Sequence, residues 1–159
     1  MYMIRKKKTL IGRVEKLRFP TLGESVLHAR IDTGAKTSSI WATYINETDD
    51  GLAVRFASLD YAINAHEAVF EHYDRVRVAS SMGHQQLRYR VKLPVVIRRR
   101  RIMATFTLSD RSMQVYPVLI GRSTLNGKFV VDVSRGSPLL AEEESRSAEL
   151  QKNIHEEHV

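Results

Sequence analysis

Alternation of apolar and polar residues dominates the body of the chain. "TLIGRVEKL" (9–17) and "SVLHARI" (25–31) predict strands separated by the turn-forming "FPTLGES", and "GLAVRFAS" (51–58) follows the turn signal "TDD". "YDRVRVAS" and "QLRYRVKL" alternate strictly, with Val76, Val78, Leu87, Tyr89, Val91 and Leu93 opposed to Arg75, Arg77, Arg88, Arg90 and Lys92. A period of two assigns that basic set to one sheet face. "VVIRRRRIMATFTL" predicts two strands meeting at a basic turn, "YPVLIGRSTL" a strand entering a short helix or turn, and "KFVVDVS" a last strand. Helix is predicted only near "STLNG" and in the Glu-rich tail from Leu139, which Pro138 can start. Many short strands with one or two helices and no internal repeat define an all-β fold, a small barrel or sandwich.

Composition narrows the chemistry. The chain has 159 residues, enough for one domain with its own core, and no cysteine, which excludes disulfides, thiolate catalysis and Cys-ligated zinc. "MYMIRKKKTLIG" is basic without the apolar run of a secretory signal, and no stretch approaches about 18 apolar residues. The expectation is a soluble, cytoplasmic protein with no membrane partner. The net charge of +7 is uneven: residues 1–136 hold 23 Lys and Arg against 12 Asp and Glu, whereas residues 137–159 hold 2 against 6. The chain therefore divides into a basic body, 1–136, and an acidic C-terminal tail, 137–159, helical or disordered. Such a body suits an anionic partner, and such a tail can compete for the same surface.

"HARIDTGAKTSSI" (28–40) carries the candidate chemistry. An apolar strand (Val26, Leu27, Ala29, Ile31) delivers Asp32 to its end; Thr33 offers a hydroxyl, and Gly34 lets backbone approach without a Cβ. Hydrolysis of a peptide bond by carboxylates needs two of them, one charged to activate water and one protonated to donate to the scissile carbonyl. Like charges about 3 Å apart share one proton. The body has one Asp-Thr-Gly, so a dyad requires a homodimer with Asp32 of each copy on the two-fold axis. Alone, the triplet equally suits an Asx-turn. Ser38, Ser39, His28 and Asp32 are neighbours in sequence without a G-x-S-x-G elbow or an oxyanion loop, and the two serines suit backbone bonding after the turn.

"ARIDTGAKTSSI" and "YPVLIGRSTLNGKFVVD" together resemble the paired motifs of retropepsin-like aspartic peptidases, the fold of retroviral proteases. Asp-Thr-Gly-Ala-Lys-Thr-Ser, "SDRSM" (109–113) and Ile-Gly-Arg are closer still to a bacterial family often labelled ATP-dependent zinc protease. The resemblance covers about residues 9–134. It implies a closed β-barrel with one short helix and a catalytic Asp32 on a loop of Thr33 and Gly34, floored by Ala35 and supported by Leu119, Ile120 and Gly121. It also implies an aspartic endopeptidase acting on an oligoglutamate tail or another acidic peptide. Association with ATP-grasp glutamate ligases that modify a small-subunit ribosomal protein belongs to the same expectation. No Walker-type loop is present, and no cofactor is expected.

Two features depart from the retroviral pattern. There the residue after Asp-Thr-Gly-Ala is acidic and pairs with the arginine of Ile-Gly-Arg; here it is Lys36, facing Arg122. Lys36 and Arg122, with Arg75, Arg77, Arg88 and Arg90, are candidate carboxylate-binding residues of a substrate; an internal ion pair of Arg122 with Asp110 or Asp132 is the alternative. The flap candidate "ASSMGHQQ" (79–86) has a single glycine and suits a plain turn as well as a lid. The zinc label finds no ligand pattern: His66 and His72 are six apart, and His155 and His158 lie near the chain end, so no metal is expected. The basic clusters "IRKKK" and "RRRR" keep open a non-catalytic RNA- or ribosome-docking module, although Tyr89 is the single aromatic in the strand 86–93.

Overall fold

A computed structural model of the chain describes residues 6–57, 67–79 and 82–156, with residues 155 and 156 as backbone alone. The strands are β1 Thr9–Ile11, β2 Val14–Phe19, β3 Ser25–Ile31, β4 Ser38–Thr48, β5 Gly51–Phe56, β6 Ala68–Phe70, β7 Asp74–Ala79, β8 Gln85–Ile97, β9 Arg100–Ser109, β10 Val118–Ile120 and β11 Phe129–Val131. The helices are the single turn α1, Arg122–Leu125, and α2, Leu140–Glu156. No described helix is long and apolar enough to cross a membrane.

Six strands close a ring in the order β10, β3, β2, β8, β9, β4, because β10 pairs with β3 on one side and β4 on the other. The fold is thus a small all-β barrel. Alternation along β2, β3, β8 and β9 sends Leu17, Phe19, Leu27, Leu93, Val95, Ile97, Ala104 and Phe106 inward, each almost fully buried. Phe19 and Phe106 meet at a ring-centroid distance of 5.8 Å, tilted by 60°. Both β4 and β8 are longer than the barrel needs. The second half of β4 leaves the ring past a bulge at Ala42–Tyr44 to pair with β5, and β6 follows at that edge. The first half of β8 pairs with β7 as a protruding hairpin.

The predicted strand 9–17 is two strands. Gly12 interrupts it where the chain passes Arg135: a Cβ there would lie 2.1 Å from the Arg135 carbonyl carbon, so only glycine fits. β1 instead pairs in parallel with β11. A second expectation is corrected by register. Directly opposed residues of an antiparallel pair share a face, and Arg75 faces Tyr89, Arg77 faces Leu87, Val76 faces Arg88 and Asp74 faces Arg90. Arg75 and Arg77 therefore lie on the opposite side of the hairpin from Arg88 and Arg90. Period-two patterning places residues within one strand, but one residue of slip between strands reverses the relation.

Phe106→Ala removes a side chain from the centre of the barrel. The expected cost is about 3–5 kcal/mol of unfolding free energy, measured by denaturant titration; a loss below about 1 kcal/mol would mean that the core closes over the gap.

Candidate active site

Asp32 follows β3 directly, and its loop runs to β4 across the end of β10. That placement comes from backbone hydrogen bonds. Asp32 N–H donates to the Ile120 carbonyl at 2.9 Å, Arg122 N–H to Ala35 carbonyl at 2.9 Å, and Ser123 N–H to Lys36 carbonyl at 3.0 Å. Within the loop, Gly34 N–H donates to Asp32 Oδ1 at 2.9 Å and Ala35 N–H to the Asp32 carbonyl at 3.3 Å. The Asx-turn and the presentation of a carboxylate are thus one geometry, not alternatives. Asp32 is half-buried, while Thr33 and Gly34 are exposed.

Beneath the loop, Ser38 is fully buried and accepts from Gly121 N–H at 3.1 Å while bonding Thr124 Oγ1 at 2.7 Å. Ser39 bonds Ser109 at 2.6 Å. Both serines hold the frame, as the sequence suggests. Gly121 is required by contact: a Cβ would sit 2.5 Å from the Thr37 carbonyl oxygen. The Arg122 guanidinium reaches back to the Thr33 carbonyl at 3.2 Å and makes no ion pair; Asp132 bonds Ser134 and Arg135, and Asp110 receives Ser112 N–H. Lys36 is exposed beside it, with its backbone engaged and its ammonium without a partner.

The candidate arginines behave differently from one another. Arg90 is held by Asp74, with Nε 2.8 Å from Oδ1, and the pair keeps the Asp74 carboxyl below the ordinary range. Arg88 contacts only the neutral Gln86 amide. Arg75 and Arg77 stand exposed on the other side of the β7–β8 hairpin. Ser80 and Ser81 of the flap candidate, and His66 and His158, lie outside the described residues, as does the side chain of His155.

Arg111 carries no assignment in the motif reading, yet it lies within electrostatic reach of Asp32. Its Nε donates to the Tyr116 carbonyl at 2.9 Å in the segment between β9 and β10. Burial lowers its proton affinity, Arg30 and Arg88 lower it further, and the Asp32 carboxylate opposes them. All three groups therefore lie within electrostatic reach of Arg111. "SDRSM" was the available signal, but its place beside Asp32 depends on the pairing of β4 with β9, where Trp41 faces Ser109.

The tail meets the body through α2. Glu143 accepts from both terminal nitrogens of Arg13, at 2.8 and 3.0 Å, and from the Tyr116 hydroxyl, which also accepts Leu139 N–H at 3.0 Å. These bonds hold the Glu143 carboxyl below the ordinary glutamate range, and Arg30 adds to the effect.

The comparisons with known proteins agree with this geometry. A family model described as retropepsin-like aspartic endopeptidase RimB matches residues 10–137, and the chain belongs to that RimB-like family. Curated relatives carry a different name: probable alpha-L-glutamate ligases of Desulfotalea psychrophila and Shewanella pealeana are 29% and 30% identical over 130 and 132 residues. Those matches cover 79% and 80% of this chain but 28% and 29% of the ligases, so the chain spans under a third of their length. The crystal structure of Lpg0085, a protein of unknown function from Legionella pneumophila, superposes with a TM-score of 0.63 at 24% identity, covering 82% of this chain and 97% of that one. That likeness shows the fold.

Two measurements test the frame. Gly121→Ala forces the Thr37 backbone aside and is expected to lower stability by about 1–3 kcal/mol; an unchanged melting temperature would contradict the close contact. For the tail, a depressed carboxyl contributes stability above its unfolded value of about 4.3, lost as pH falls through the folded value. Wild type should therefore exceed Glu143→Gln in stability at pH 7, with the difference shrinking as pH falls below about 4.3; a gap that persists in acid would assign it to packing.

Proposed function

We propose that the chain is an aspartic-type peptidase hydrolysing acidic, glutamate-rich peptides through a water activated by Asp32 of two copies. The observation that carries this is a carboxylate presented on a backbone-bonded loop within electrostatic reach of Arg111, with Arg30 two residues before it on the same strand face. A two-fold axis past the loop pairs the Asp32 carboxylates; one takes a proton from water and its partner donates to the scissile carbonyl. Thr33, Gly34 and Ala35 shape the loop. The oxyanion forming in the transition state gains from nearby cations. The β7–β8 hairpin, which carries exposed Met82 and left-handed Gly83, is the lid candidate over bound peptide in this reading.

The names of the curated relatives support a substrate made by glutamate ligation and a ligase as partner; a ribosomal protein as partner rests on the family resemblance alone. Arg122 and Lys36 are then outer contacts for the anionic chain, next to the loop but engaged with backbone. In this reading the acidic α2, whose Glu143 lies within electrostatic reach of Arg30, competes with substrate.

A second reading has its own observation. Arg98 and Arg99 turn the β8–β9 hairpin in left-handed conformations, and with Lys16, Arg18 and Arg101 they line a cleft of about 520 Å³. Such a basic cleft also suits the phosphates of an RNA and a docking role without catalysis.

Asp32→Asn is expected to reduce hydrolysis of a glutamate-rich peptide about 10²–10⁴-fold or more, followed by mass spectrometry, with a dimer in solution by light scattering. Cleavage independent of Asp32 would remove the peptidase mechanism, and an active monomer would remove the shared dyad. A chain ending at Gly136 should cleave acidic peptides faster; unchanged kinetics would exclude competition by the tail. RNA binding abolished by Arg99→Glu without any hydrolytic activity would favour the docking module.

A further inference from the structure

We infer that Arg30 and Arg111 form a carboxylate-binding subsite beside Asp32 that selects a glutamate or aspartate side chain next to the scissile bond. The inference rests on the peptidase reading of Asp32. Its geometry begins on β3, where buried Leu27, Ala29 and Ile31 alternate with outward-facing His28 and Arg30, and Asp32 continues the outward row. Two steps along a strand are about 7 Å, so Arg30 stands one same-face position before the carboxylate. That is the spacing at which an extended peptide sets its own neighbouring side chains. Arg30 is exposed and lies opposite Leu119 of β10, and its guanidinium makes no hydrogen bond or ion pair among the described residues.

Arg111 approaches from the other direction. The Ser39–Ser109 bond anchors the end of β9 next to the start of β4, and the Asp110 carboxylate, accepting Ser112 N–H, turns the chain sharply just beyond. Half-buried there, Arg111 uses Nε on the Tyr116 carbonyl and leaves both terminal nitrogens free of hydrogen bonds. Those two nitrogens match the two oxygens of a carboxylate.

Several other arginines already hold carboxylates. Arg13 has Glu143, Arg18 has Glu24, Arg55 has Glu67, Arg90 has Asp74 and Arg98 has Glu15. Arg30 and Arg111 instead lie within reach of each other and of Arg88, with Asp32 the single acidic group that offsets the Arg111 charge. Glu143 of α2 adds its own pull on Arg30 from the Arg13 side. A partly buried guanidinium among like charges is costly until an anion joins it. A substrate carboxylate supplies that anion and at the same time places the adjacent peptide bond over Asp32. Arg75 and Arg77, on the other side of the hairpin, have no part in this subsite.

The test compares kcat/KM for two peptides that differ only in Glu or Gln next to the cleaved bond, the bond being located first by mass spectrometry of a glutamate-rich peptide. Wild type should favour Glu about tenfold or more, and Arg30→Gln and Arg111→Gln should each reduce that ratio about tenfold. Arg111→Lys should restore part of it. A ratio unchanged in variants that melt with wild type overturns the subsite; if Arg111→Gln does not fold, the exposed Arg30→Gln decides alone. Absence of any wild-type cleavage would remove the peptidase reading, and anisotropy of a labelled pentaglutamate would then decide the subsite. Weaker binding by the two variants upholds it, and equal binding overturns it.

Discussion

A three-residue strand threaded between the two segments that flank the Asp32 loop is the constraint on which the rest of this molecule depends. β10 runs parallel to β3 and antiparallel to β4, so its backbone groups are shared by the chain entering and the chain leaving the loop. The loop can be short because both ends are already fixed. Asp32 N–H and the carbonyls of Ala35 and Lys36 all bond to β10 or to the residues just after it. Buried backbone groups need partners, and here that need sets the position of a carboxylate. Gly121 permits the approach, and Ser38 and Thr124 satisfy what remains. Apart from the Arg122 guanidinium on the Thr33 carbonyl, the bonds described for this frame use backbone groups and hydroxyls.

How those charges are distributed separates structural arginines from available ones. Glu15, buried to 3% exposure, is gripped by Arg98 and by Gly12 N–H, so part of the basic run at the β8–β9 turn serves the fold. Arg100 likewise bonds the Lys128 carbonyl at 2.8 Å and lies over Phe129. Arg13 clamps the tail. Arg30, Arg88 and Asp32 all lie within electrostatic reach of Arg111, and none of these three arginines forms an ion pair among the described residues. Overall basicity, visible in composition, thus resolves into a scaffold share and a site share. In the curated relatives the region similar to this chain makes up under a third of a probable alpha-L-glutamate ligase.

Much of the fold was legible in the residues. The alternating runs marked most strands of the barrel though not β4, the helix predicted near "STLNG" is the turn Arg122–Leu125, and Asp-Thr-Gly with Leu-Ile-Gly marked the loop and its support. Two failures share one cause. Gly12 looked like part of a strand because the segment that crowds it, at Arg135, is over a hundred residues away. The basic face of β7 and β8 looked continuous because alternation within each strand carries no information about register between them. Arg111 was overlooked for the same reason, as its neighbours come from β3 and β8.

The sequence by itself determined the class of fold, the candidate carboxylate and the glycine and serine positions that carry its loop. These depend on side-chain periodicity and on backbone bonds between two recognisable motifs. Tertiary structure alone decided which cations stand near Asp32, which are spent on Glu15, Asp74 and Glu143, and where the acidic tail begins its contact. Charge acts through space over several ångströms, and distances between strands remote in sequence exist only once the barrel has closed.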